Sequence, residues 1–192
     1  MRPRRRRRRR LRRGGRGDRR VHVEAGIVNT LRPLSLVAAT MAMGLAAGVF
    51  DLYAHTIMPG LRKTDDRTFV GAFQAIDRAI INPWFIGGCF IGALVLTVTA
   101  AITHLGRSAL PWIGAALVLY LVVIAITAAV HVPLNDTIKA AGSPDRISDL
   151  AAVRDKFNEA RWIGWNLVRA VTSTIAFGCL AWALVLSGRS TS

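Results

Sequence analysis

Trp112 to Asp136 reads WIGAALVLYLVVIAITAAVHVPLND. Up to Val130 it carries no charge and would be apolar on every side of a helix. It then stops in a cluster of His131, Pro133, Asn135 and Asp136. A helix of a soluble bundle keeps a polar face toward water, and this one keeps none. Together with 111–132, three further blocks, about 34–57, 84–105 and 165–186, are each close to the roughly 20 apolar residues that cross a bilayer as a helix. The expected fold is therefore all-α, an integral membrane four-helix bundle occupying 33–188, with short tails outside it.

The formal net charge of +15 would suggest a nucleic-acid binder, but it is concentrated at one end. Of the 26 Lys and Arg, 14 lie between Arg2 and Arg32, and from Pro33 onward 12 basic residues face nine acidic ones, a balance of only +3. The stretch MRPRRRRRRRLRRGGRGDRR is low in complexity and has no apolar core of its own, so residues 1–32 are expected to be a disordered tail and not a cleaved signal peptide. Three sources remain open for it: an arm on anionic headgroups, each basic residue there contributing about 1 kcal/mol; a phosphate-binding arm; or a start of translation further on, at Val21, Val23 or Val28. No interleaved aromatic stands ready to stack on a base, so no specific nucleic-acid partner is expected. Cys89 and Cys179 fall at different depths of their spans and are read as small packing residues.

Basic residues flank the first span at Arg32 and recur at Arg107 and Arg189, so the positive-inside rule places both termini in the cytoplasm of a plasma-membrane protein. The connections 60–83 and 133–164 are then outside. In the first, Thr64 or Asp65 can cap a helix whose Phe69, Phe73, Ile76 and Ile80 form one stripe, an amphipathic helix expected on the membrane surface. Asn82-Pro83 ends it. The second connection breaks at Gly142-Ser143-Pro144 and restarts near Ser148. No breaker is evident from Asp149 to Leu186, which predicts one long fourth helix.

The polar residues inside the spans gather toward that outer end. Gly44 and Gly48 form a small-xxx-small pattern, and Asp51, His55 and Met58 follow on the same helical face. Tyr120, Ile124, Thr127 and His131 form a stripe on the third span, and Trp162, Asn166, Arg169 and Ser173 one on the fourth. An ionisable residue within a span costs several kcal/mol unless it faces the bundle with a partner, so Asp51 is expected to pair with Arg169. Pro133 is expected to stop the third helix. A polar pocket of His131, Asn135, Asp51, His55, Asn166 and Arg169 follows. Two histidines on separate helices show no diagnostic metal spacing, and no phosphate loop, serine elbow or CxxC motif is present, so neither metal nor cofactor is expected.

The motifs MPGL (Met58–Leu61), DDRTFVGAFQAIDRAIINPWF (Asp65–Phe85), VPLND (Val132–Asp136) and RWIGWNLVR (Arg161–Arg169) resemble a family of small four-helix membrane proteins that includes the anthrone oxygenases of polyketide pathways. The likeness extends over about 34–187. It implies roles for Pro59, Gln74, Asn82, Pro83, Pro133, Asn135, Trp162, Asn166 and Arg169. His131 and Asp77 stand where the family often has asparagine, and Asp51 and His55 lie outside its pattern. The resemblance implies an oxygenase acting on a planar aromatic or quinol-like molecule, and for that chemistry His131 is the expected base and Arg169 with Asn135 or Asn166 the enolate donors. Asp51, His55, Gln74, Asn82 and Trp162 are then the expected substrate-binding set. A different reading is a non-enzymatic scaffold or a subunit that binds lipid or a partner, in which the polar cluster only holds four helices in register. The two differ in whether the cluster encloses space.

The topology is checked by cysteine labelling. A membrane-impermeant maleimide should reach Ser143→Cys from outside intact cells and should not reach Ser108→Cys.

Overall fold

A helix in lipid satisfies its backbone polar groups internally, and this chain is built almost wholly in that way. The computed structural model describes residues 14–189, and no strand occurs among them. Four helical runs are long and apolar enough to cross a membrane: Thr30–Leu61, Pro83–Thr103, Leu110–Ala140 and Leu150–Arg189, here spans 1 to 4. The first helix is described from Gly14 to Leu52 and so includes 14–32, while the arginine run before Gly14 lies outside the described residues. Once a span has nucleated a helix, each further residue adds a hydrogen bond at little extra cost, which carries the helix back into the flank.

Span 1 packs against spans 2 and 4, and span 3 against spans 2 and 4, which closes the bundle. Small residues bring the backbones together. Ala39, Ala46, Ala93, Ala116, Ala176 and Ala183 are buried along the interfaces, as expected where dispersion and not water drives helix association. Gly44 is one such place, since a Cβ there would meet the Phe177 ring at 3.0 Å. Gly48 has open space around it.

Spans 1 to 3 each contain a widened π-type turn toward the same end of the bundle, at Tyr53–Ile57, Pro83–Ile91 and Thr127–His131. That end lies opposite the one where Arg32 Nε donates to the Thr103 carbonyl at 2.8 Å; it is called distal below. The third turn explains why Pro133 does not stop its helix. The Val132 amide reaches back to the Thr127 carbonyl, the wide turn absorbs the register change, and Pro133 falls in the first turn of a helix that continues to Ala140. Proline is tolerated there because its missing N–H is not called on.

A second apolar cluster covers the distal end. The helix Asp66–Ile80 is capped by Asp65, whose carboxylate accepts from the Thr68 amide at 3.0 Å and the Thr68 hydroxyl at 2.6 Å. Those bonds, the hydroxyl first, hold the Asp65 carboxyl below its ordinary range. The stripe predicted on this helix turns Phe69 and Phe73 into protein, against Phe157 and Trp162, so it roofs the bundle. Arg154 ties the roof down, donating to Asp66 at 3.0 Å and Glu159 at 3.0 Å with its guanidinium over the Phe69 ring.

The fourth helix is not continuous from Asp149. Leu150–Phe157 ends at Asn158, which is left-handed at φ 53°, and Glu159–Arg189 follows. Asparagine adopts this conformation more readily than other residues with a side chain. Its Oδ1 also accepts from the Arg161 amide at 3.1 Å, so one residue closes the first helix and caps the second. Asn158→Ala should cost about 1–2 kcal/mol in detergent melting, because it loses both the cap and the tolerated backbone. Asn158→Gly, which keeps the backbone freedom, should cost less than alanine.

Candidate active site

Between the bundle core and its roof lies a cavity of about 400 Å³, within the range of small-molecule sites. The wide turns make room for it: residues from all three line it, including Tyr53, Phe85, Phe90, Thr127 and His131. A widened turn also changes which amides meet which carbonyls, and side chains take up the difference. Asn166 Nδ2 donates to the Phe50 carbonyl at 3.0 Å, just before the first wide turn, and Tyr120 donates its hydroxyl to the Phe90 carbonyl, inside the second, at 2.9 Å.

Arg169 forms one wall. Its guanidinium donates to Thr127 Oγ1 at 3.1 Å and to Asn166 Oδ1 at 2.8 Å, and lies 4.5 Å from the centre of the Phe50 ring. Its Nε is buried with no hydrogen-bond partner. Opposite charges do not neutralise it directly: Asp51 is exposed and its ion-pair partner is His55 Nε2 at 3.4 Å, one turn along the same helix. The expected Asp51–Arg169 pair is therefore not formed. The buried stripe of span 1 runs through Leu36, Met43 and Phe50, and Asp51 and His55 fall to one side of it.

His131 is nearly fully buried, stands edge-on to Trp162 with centroids 5.0 Å apart, and has no hydrogen-bond partner on either ring nitrogen. Above it a polar chain crosses the cavity wall. Trp162 Nε1 donates to Asn135 Oδ1 at 2.8 Å, Asn135 Nδ2 donates to Asp77 Oδ1 at 2.6 Å, and Lys139 Nζ lies 3.0 Å from Asp77 Oδ2. The helix that continues past Pro133 puts His131, Asn135 and Lys139 four residues apart on one face.

Of the residues predicted from sequence, His131, Asn135, Trp162 and Arg169 line the cavity together. Asn166 lies one layer behind, holding the guanidinium and the Phe50 carbonyl. Gln74 is buried away from the cavity, its Nε2 pinning the carbonyls of Ile138 and Gly142 at 2.8 and 3.0 Å. Asn82 caps span 2, accepting from the Phe85 amide at 2.9 Å. Asp51 and His55 are outside the lining. Among the described residues no three His, Cys, Asp or Glu side chains converge as a metal site would require. Sequence reasoning missed Tyr53 and Lys139 as lining residues. The spacing from His131 to Lys139 would have revealed Lys139 had the helix been carried past Pro133.

The fold and cavity together define an α-helical membrane bundle with an internal site of mixed aromatic and polar walls. The anthrone oxygenase family model matches residues 81–179, just over half of the chain, and the chain belongs to that family. No curated protein and no solved structure matches it.

Asn135 bridges two buried partners, so Asn135→Leu should strand the Trp162 N–H and an Asp77 oxygen and lower stability by about 2–3 kcal/mol. Trp162→Phe combined with Asn135→Leu should cost less than the sum of the two, and a double-mutant cycle by detergent melting measures that coupling.

Proposed function

We propose that this protein is a membrane oxygenase that converts an acidic methylene of a planar aromatic substrate to a carbonyl, working from the distal cavity. The observation that carries the reading is His131. It lines the cavity, neither of its buried ring nitrogens has a hydrogen-bond partner, and Arg169 lines the same cavity; an imidazole near a buried guanidinium is the pairing that enolate formation needs.

A methylene flanked by aromatic rings and opposite a ring carbonyl is acidic. In the proposed sequence the unprotonated His131 takes one proton from it, and the electron pair moves to the carbonyl oxygen. Arg169 stabilises that oxygen, and Tyr53 also lines the cavity; donors already in place cost no reorganisation as charge develops. The electron-rich anion passes an electron to dioxygen, and carbon–oxygen bond formation and protonation give a hydroperoxide. Loss of water leaves the new carbonyl, so that methylene plus O₂ becomes carbonyl plus H₂O. Neither a metal nor a flavin is required in principle for such an anion. Phe50, Phe85, Phe90 and Trp162 provide flat apolar walls for the rings. With Arg32, Arg107 and Arg189 on the cytoplasmic side of the plasma membrane, as the positive-inside rule favours, the cavity lies toward the outer leaflet.

The test is oxygen uptake by purified protein in detergent with an anthrone as substrate. His131→Leu, which keeps the volume, should slow uptake by about 10²- to 10⁴-fold, the usual contribution of a general base, with little change in melting temperature. Arg169→Gln should slow it as well. Equal and negligible uptake by wild type and both variants would remove the oxygenase reading for such substrates.

A further inference from the structure

The cavity is open on one flank. Ile81, Ile86, Ile91 and Val132 line it, yet they are 60%, 36%, 43% and 48% exposed. Ile86 and Ile91 belong to span 2 and Val132 to span 3. These two spans pack closely along Gly92–Thr103 and Leu110–Ile126 but part at their wide turns, leaving a slot between them. The slot opens between two membrane-spanning helices, and its lips at Ile86, Ile91 and Val132 are apolar, with the exposed Asp136 one turn beyond Val132 toward the distal rim. Axial access is covered instead: Phe69, Phe73, Phe157 and Trp162 are buried in the roof above the cavity. Polar groups are arranged the other way round, with Arg169 and His131 inside and Lys139, held by Asp77 at 3.0 Å and Asp136 at 3.1 Å, at the distal rim.

From this arrangement we infer that the cavity takes its ligand sideways out of the bilayer, and that the ligand is an amphiphile with an aromatic, oxygen-bearing head and an alkyl or isoprenyl chain. The inference rests on the reading of the cavity as a substrate site. A molecule passing an apolar slot into a polar-tipped cavity enters polar end first. Its oxygen reaches Arg169 and His131 while the rings meet Phe85 and Phe90. The chain then lies across Ile86, Ile91 and Val132 and ends among lipid acyl chains, where each methylene stays in an apolar medium and costs nothing to accommodate. A closed cavity of this volume would reject the same chain for want of space.

The probes are a matched pair, a methyl naphthoquinone and the same ring carrying a long isoprenyl chain, titrated at equal membrane mole fraction against wild-type protein in nanodiscs. The chain-bearing ring should bind at least as tightly as the bare one. Ile86→Trp, which fills the slot, should weaken it about tenfold or more, and Ile102→Trp, also exposed on the same span but at its other end, should leave it unchanged. Nitroxide labels at Ile86→Cys and Val132→Cys should collide more with oxygen than with a water-soluble nickel chelate. Binding of the bare ring with exclusion of the chain-bearing one overturns the slot and leaves the oxygenase reading standing, as does equal weakening by the two tryptophans or preferential collision with nickel. Binding of the chain-bearing ring, together with no oxygen uptake from an anthrone, supports the slot and removes the oxidation chemistry. Failure of both rings to bind overturns the slot, and the oxygenase reading falls with it only if an anthrone also gives no oxygen uptake.

Discussion

The arrangement of this bundle follows from the need to bury one guanidinium. Arg169 is almost fully removed from solvent within a span, where an unpartnered charge is among the costliest groups a helix can carry. Its solution uses three helices at once. Thr127 of span 3 and Asn166 of span 4 accept its hydrogen bonds, and the Phe50 ring of span 1 lies under its face. Asn166 then reaches on to the Phe50 carbonyl. The spans are thus held in register at the level where the cavity begins, and the group that locks them is also the group that faces the cavity.

The same level is where spans 1 to 3 widen, and packing and function meet there. Widening separates helices that are otherwise brought close by alanine, and the space gained is walled by aromatic rings that a tightly wound helix could not accommodate. The carbonyls disturbed by the change are covered by Asn166 and Tyr120, residues whose polar tips would otherwise be a liability in the core. Above the cavity, Asn135 carries the order onward, receiving a hydrogen bond from Trp162 and giving one to Asp77. Two sets of polar side chains therefore flank the cavity, one around Arg169 in the bundle core and one from Trp162 to Lys139 beneath the roof.

Much of this is legible in the sequence because lipid imposes simple rules. The lengths of the apolar blocks give the four spans, Asn82-Pro83 marks the start of the second, and the stripes ending at His131 and Arg169 bring the main polar residues to one place. What escapes is backbone register. Nothing in TAAVHVP announces a turn with one extra residue, so proline reads as a stop when it is the first turn of a continuation. Asn158 is a similar case, a single asparagine in a run with no glycine or proline near it. Asp51 misleads for another reason: small residues suggest that the Gly44 face packs, whereas the larger Leu36, Met43 and Phe50 set the buried stripe and leave Asp51 and His55 at its margin.

The widened turns also bear on how such a protein can change over generations. Each holds one residue more than an ordinary turn, and removing one residue at 3.6 per turn would rotate everything after it by about 100°. A deletion between Thr127 and Val130 would leave composition, hydropathy and the number of spans untouched. It would swing His131, Asn135 and Lys139 as a block away from the interior. For this architecture a change of phase is more severe than most changes of side chain, so drift should show substitutions throughout the distal segments and very few gaps.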